Sequence, residues 1–438
     1  MSIIINHIAR PPMGLFLAIT LFPLAAMAAQ EQARKADDFV ESIGVNVHLE
    51  YDTYVGGTRY QDIIKPRLGE LGIRHMRTTI LPGNQAYADR VNDLHTSFGI
   101  MATALAGPTT QTDAEFRDAL NRVKHATIAA EGLNEPDGDW FWGWYGFTKD
   151  TWMPQTKAFQ LRLFSFIKAE PDLSHLAVVG PSLMGPYRAD WQLIANMEDR
   201  VDYGNFHLYQ MDKPPGDAMD WWHVPNVRMS YPAKPLVCTE AGYASVFTKS
   251  YVGVGEYAQN RYVPRILLEH WRHGVTRTFL YELYDQGKSF DGKPEEKHFG
   301  LIKNEGAMKE CALTIRNLIR ILQEPKVPSF SPGSLKFALS GGDKSVHHFV
   351  LEKSDGTYFL VIWQDAKNVD YQTGQERIVV PEQNVNLVLN AAIVQASIYR
   401  PMTHGTDAVQ TYANPTSIDL SVPDHPMIIA ISPKQGAQ

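Results

Sequence analysis

Two glutamates stand out by their neighbours. Glu135 lies in EGLNEPDG (131–138), between Asn134 and Pro136, and Glu240 lies in VCTEAGY (237–243). Each follows a short apolar run, and between them falls HLY (207–209), a histidine and a phenol two residues apart. Two carboxylates facing each other across a cleft are what glycosidic bond cleavage requires. One gives a proton to the leaving oxygen while the other attacks or stabilises the anomeric carbon. Such a pair works only where its surroundings push the two acidities apart. The residue types for that are present. Asn134 can hold a sugar hydroxyl as charge develops, Tyr209 can orient a carboxylate, and Arg77 can keep it ionised. His48, His207, Tyr281 and Glu282 also end apolar runs and complete the candidate substrate-binding set.

Directly after the first glutamate comes DWFWGWYGF (139–147), read here as a loop. So many aromatics in one loop are hard to bury together, so Trp140 and Trp142 are expected to stack sugar rings on the leaving-group side. The bland alternative is a hydrophobic lid anchor. WWH (221–223) repeats the theme more weakly. Other chemistries find no support. No Cys/His cluster has zinc spacing, and no nucleophile-elbow G-x-S-x-G occurs. PDGDW and YDQGKSFDG lack the ligand ladder of a calcium loop and read as turns.

The elements that must position these residues alternate between two textures. Stretches 43–51, 71–80, 98–107, 126–136, 175–185, 201–210, 234–243 and 274–285 read as strands. Helix-like segments separate most of them. Phe116, Ala119, Leu120 and Val123 recur at helical spacing, as do Cys311, Ile315, Leu318 and Leu322. Eight such units predict a (β/α)8 TIM barrel over 40–322, an α/β fold. A doubly wound sheet fits less well, because no glycine-rich phosphate loop follows any strand. From 326 to 438 the texture changes to short strands, with a hairpin at 347–365 turning on Ser354-Asp355-Gly356, and this predicts a C-terminal all-β sandwich. A barrel gathers chemistry at the carboxyl ends of its strands, which would bring Glu135 and Glu240 into one mouth.

The formal net charge of −7 argues against nucleic acid or an anionic membrane as the main partner. Residues 1–28 read as a signal peptide: Arg10, the apolar run 13–27, and Ala26-Met27-Ala28 as a small-x-small cleavage site. The run is too short to favour a spanning helix and holds Pro23, so a secreted or periplasmic protein without a stable membrane span is expected. Cys238 and Cys311 are read as buried free thiols rather than a disulfide framework.

NEP alone is a weak signal. NEP on the fourth strand, H-x-Y on the sixth and TE on the seventh is a far more specific one. On these residues the stretch 43–322 resembles the clan A retaining glycoside hydrolases. With the sandwich behind it, the chain looks most like family 39 and its relatives. The resemblance implies Glu135 as general acid/base, Glu240 as nucleophile, retention of anomeric configuration, a polysaccharide or oligosaccharide substrate, and no metal or organic cofactor. The chain departs from the pattern at the eighth strand, where LYELYD (280–285) replaces the sugar-platform tryptophan of many clan members. Tyr281 or Tyr284 would have to serve instead, with Glu282 as a sugar-hydroxyl ligand or an ion-pair partner. Two further readings stay open: a non-catalytic carbohydrate-binding protein on a degenerate scaffold, and a transglycosylase.

Overall fold

In the computed structural model, residues 29–79, 81–107, 111–184, 188–248, 253–286, 293–324 and 329–434 are described. The apolar runs form eight parallel strands: β1 (Ile43–Asn46), β2 (His75–Thr79), β3 (Met101–Leu105), β4 (Thr127–Glu131), β5 (Ala177–Val179), β6 (Gly204–Leu208), β7 (Leu236–Ala241) and β8 (Val275–Leu280). Neighbours in sequence are neighbours in space, and β8 returns to pair with β1. The ring closes between β5 and β6 through a parallel bridge from Val179 to Tyr203. Strands covered on both faces are expected to be apolar throughout, and β7 is buried at every position.

Helices coat the ring. Thr112 and Glu115 form a capping box that starts the helix Asp113–Val123, whose Phe116, Ala119, Leu120 and Val123 are buried as the spacing predicts. The last helix, Glu310–Leu322, buries Cys311, Ile315, Leu318 and Leu322. Cys238 and Cys311 are both buried free thiols. No described helix is long and apolar enough to cross a membrane. The expected signal peptide, 1–28, lies outside the described residues.

Behind the barrel lies a β-rich domain of two sheets. One runs Ala29–Gln32, Ser334–Gly341, Gln383–Leu389, Ser417–Val422, and the other Ala408–Ala413, Ile393–Tyr399, Met427–Pro433, Tyr358–Gln364, Val346–Glu352, Arg34–Lys35. Their inner faces enclose a separate core that includes Phe337, Leu360, Leu387, Ile418 and Ile429. The N-terminal residues 29–35 thus supply an edge strand to each sheet, pairing with strands about 300 residues away. The hairpin of Val346–Glu352 and Tyr358–Gln364 pairs antiparallel in the register that its turn residues predict.

Candidate active site

Asn46 on β1, Arg77 on β2, Glu131 on β4, Asn205 and His207 on β6, and Thr239 and Glu240 on β7 form one hydrogen-bonded network across the barrel mouth. Arg77 is its hub. Its Nε and Nη2 donate to the two oxygens of Glu131 at 2.7 and 2.9 Å. Nη1 donates to Glu240 Oε1 at 2.5 Å and Asn46 Oδ1 at 3.0 Å, and Nη2 also reaches Asn134 Oδ1 at 2.7 Å. A guanidinium has five N–H donors, so all of them are engaged. Burial opposes the Arg77 charge, but the Glu131 and Glu240 carboxylates outweigh it and raise its pKa.

Glu240 sits on β7 with little of its surface open, and Tyr209 donates its phenol to Oε2 at 2.7 Å. Burial pushes this carboxyl up. The charges of His207 and Arg77, with the Tyr209 hydrogen bond, outweigh that and hold it below its ordinary value. This is the condition a nucleophile needs. Gly242, two residues on, is required by space: a Cβ there would come within 2.2 Å of the Tyr281 carbonyl oxygen, so the ends of β7 and β8 can meet only over a glycine.

Glu135 is held differently. β4 ends at Glu131, five residues short of the stretch 126–136 that the sequence predicts as a strand, and Asn134 instead makes an isolated bridge to Ser182. Gly132 follows, packed so closely on Gln160 that a Cβ would lie 2.1 Å from the amide oxygen. Glu135 then adopts φ +45°, a left-handed conformation rare for a residue with a Cβ, anchored by its N–H to the Ser182 carbonyl at 2.9 Å. His207 Nδ1 lies 2.8 Å from Glu135 Oε1 and 3.5 Å from Glu240 Oε2. Its Nε2 contacts Thr239 Oγ1 at 3.1 Å. Thr239 spends its single hydroxyl proton on Glu131 or Asn205, at 2.9 and 3.0 Å, so toward His207 it accepts and Nε2 carries a hydrogen. One proton therefore lies on the short line between Nδ1 and Glu135. Burial disfavours the imidazolium, but the Glu240 charge and the Glu135 hydrogen bond outweigh it and raise the His207 pKa.

A second group lines the β1–β8 side. His48 Nδ1 lies 3.2 Å from Glu50 Oε1, and its Nε2 lies 3.4 Å from Glu282 Oε2. The ring stacks on Tyr51 at 4.4 Å and meets Tyr281 edge-on at 5.7 Å. Gln286 donates to both oxygens of Glu282 at 3.0 Å. Burial pushes the Glu282 carboxyl up to about 8 against the pull of His48 and Gln286, so it is protonated at neutral pH. Tyr281 also contacts Tyr209 and Phe299, whereas Tyr284 is fully buried with its hydroxyl donated to the Asn304 carbonyl. Of the two tyrosines, Tyr281 is the one beside the network.

The aromatic stretch is a helix, Asp139–Tyr145, and not the expected loop. Helical spacing lets Tyr145 drop into the core and donate to the Asn134 carbonyl at 2.8 Å. Trp142 is partly buried and pinned by its indole N–H to the Pro136 carbonyl at 3.0 Å. Trp140 is left 61% exposed and Trp221 72% exposed. Glu131, Glu50, Asn46, Asn205, Thr239 and Gln286 escaped the sequence reading. The signal for Glu131 was there: a lone charge closing the run TIAAE (127–131).

Glu135, His207 and Glu240 present ligand-type atoms within 4.8 Å of one another. Arg77 already donates to Glu240 Oε1 and Tyr209 to its Oε2, and His207 Nδ1 faces Glu135 Oε1.

No family model matches the chain, and no curated protein matches it. Solved structures do. A glucosidase from Croceicoccus marinus aligns with TM-score 0.62 at 11% identity, covering 94% of this chain and 100% of that one. A family 39 glycoside hydrolase from Bacteroides cellulosilyticus aligns with TM-score 0.60 at 12% identity, over 90% and 82%. A family 51 α-L-arabinofuranosidase from Bifidobacterium longum gives 0.55 at 10%, over 93% and 98%. Across that span, the chain has the barrel-and-sandwich fold of glycoside hydrolases of families 39 and 51.

Proposed function

We propose that this chain is a retaining glycoside hydrolase that cleaves O-glycosidic bonds of a polysaccharide or oligosaccharide by double displacement. Glu135 is the general acid/base and Glu240 the nucleophile. The observation that carries this reading is that Glu135 and Glu240 each bring a carboxylate oxygen within 4.8 Å of the other, Glu135 beside His207 and Glu240 beside Arg77 and Tyr209. So close an approach suits retention, whereas inversion needs a gap of roughly 6.5–9.5 Å to admit a water. Arg77 and Tyr209 keep Glu240 ionised for attack. The proton between His207 and Glu135 is the one delivered to the leaving oxygen, and Glu135 then draws a proton from the incoming water. Asn134, fixed through its Oδ1 to Arg77, leaves its amide N–H groups to hold a sugar hydroxyl.

His48, Glu282 and Tyr281 form the floor under the glycone, and exposed Trp140 stands beside the leaving-group side. The apolar run at 13–27 supports export, so the substrate is met outside the cytoplasm. A decisive test replaces the acid/base: Glu135→Ala with added azide is expected to yield a glycosyl azide of retained configuration, read by NMR. An azide product of inverted configuration would sink the double-displacement reading.

A further inference from the structure

Arg77 holds Glu240 in the free enzyme, but the attack removes the charge it holds. In that step a Glu240 oxygen bonds to the anomeric carbon, the bond from that carbon to the leaving oxygen breaks, and the Glu135 proton passes to the departing oxygen. Glu240 becomes a neutral ester while Glu135 becomes the anion. That anion lies against His207, whereas all five Arg77 donors go to Glu131, Asn46, Glu240 and Asn134. A buried guanidinium with no counter-charge is strongly unfavourable. Asn46 and Asn134 are neutral, which leaves one anion.

We propose that Glu131 is a positioning residue, the standing counter-ion that keeps Arg77 neutralised once Glu240 is esterified, and so stabilises the covalent intermediate. It is built for permanence. Glu131 has no exposed surface, grips Arg77 through both oxygens, and takes further hydrogen bonds from Asn205 Nδ2 at 3.1 Å and Thr239 Oγ1 at 2.9 Å. None of these partners is itself consumed in the reaction. The inference rests on the retaining mechanism proposed above.

The test is Glu131→Gln, which removes the charge and keeps the shape. With a 2-deoxy-2-fluoro glycoside carrying a dinitrophenolate leaving group, formation of the glycosyl-enzyme is expected to slow about tenfold or more, while its hydrolysis quickens, because only the intermediate loses stabilisation. A merely structural Glu131 slows both steps together, and equal slowing would overturn the proposal. Glu131→Asp keeps the charge and is expected to preserve the wild-type ratio of the two rate constants. A ratio moved in the Asp variant overturns the proposal as well, and this variant decides alone where the Gln variant does not fold. Should the wild type take no label from any donor, it is the retaining reading that fails. The counter-ion is then read from an NMR titration of the His207 ring, whose pKa is expected to fall by about one unit in Glu131→Gln; an unmoved pKa overturns it.

Discussion

Among the described residues, two clusters of the same make occur. Glu135, His207 and Glu240 meet at the barrel mouth, and Glu269, His347 and Asp365 meet where barrel and sandwich join, each set with ligand-type atoms within 4.8 Å of one another. In the joint, Glu269 comes from the helix Glu256–Arg272 and His347 from the sandwich strand Val346–Glu352. Glu269 Oε1 accepts from His347 Nδ1 at 2.6 Å and from Trp363 Nε1 at 2.7 Å, while Oε2 accepts from Arg272 Nε at 3.0 Å. Three of its four lone-pair positions are taken, and no surface is exposed. At the mouth, Glu135 and Glu240 keep 9% and 8% of their surface open, and His207 reaches both. Residue type alone therefore does not tell the clusters apart. What separates them is the open edge left on Glu135 and Glu240.

The electrostatics differ in the same way. Burial raises Glu269, but His347 and Arg272 outweigh it and hold that carboxyl low. Asp365 is driven up to about 7 by burial and by the Glu269 charge. The joint sets two adjacent carboxyls in opposite directions inside a closed contact, whereas at the mouth Glu240 is held low by His207, Arg77 and Tyr209 with part of its surface still open.

The largest effect should separate the clusters by function. Glu240→Gln is expected to cut kcat/KM by about 10⁴-fold or more while the protein stays folded, as judged by circular dichroism and thermal melting. Glu269→Gln should do the reverse. It strands His347 and Arg272 in the joint and is expected to cost about 3 kcal/mol of stability in denaturant titrations, with kcat per folded molecule preserved. Loss of activity from both substitutions would erase the distinction. The smallest effect concerns Glu282, whose carboxyl titrates at about 8 against an ordinary 4.5. A carboxyl raised in the folded state contributes its stability below the ordinary value, and that contribution is lost as pH rises through about 8. Wild-type melting temperature should therefore fall between pH 5 and pH 8 by more than that of Glu282→Gln, by several degrees. Parallel melting curves would show that Glu282 is not buried as an acid.

The two glutamates were legible as a pair because strand-end logic needs only local sequence: an apolar run that stops at a polar residue. Each of the eight runs delivered a strand, and Arg77, His207 and Tyr209 joined the two glutamates as their positions suggested. Glu131 was not legible as a partner, since the predicted strand ran through it to 136 and its role shows only once the arginine opposite it is known. The helix Asp139–Tyr145 was hidden by its aromatics and Gly143, which give weak helical preference on their own. The edge strands within 29–35 were hidden too, because AQEQARK has no apolar alternation and its pairing partners lie far along the chain.

The measurement that bears most directly on the central claim is intact-mass detection of a glycosyl-enzyme on a 2-deoxy-2-fluoro glycoside panel, followed by peptide mapping, in the wild type and in Glu240→Gln. The account predicts one adduct on the Glu240 peptide that disappears in the variant. An adduct on any other residue, or hydrolysis with inversion and no adduct, would contradict it.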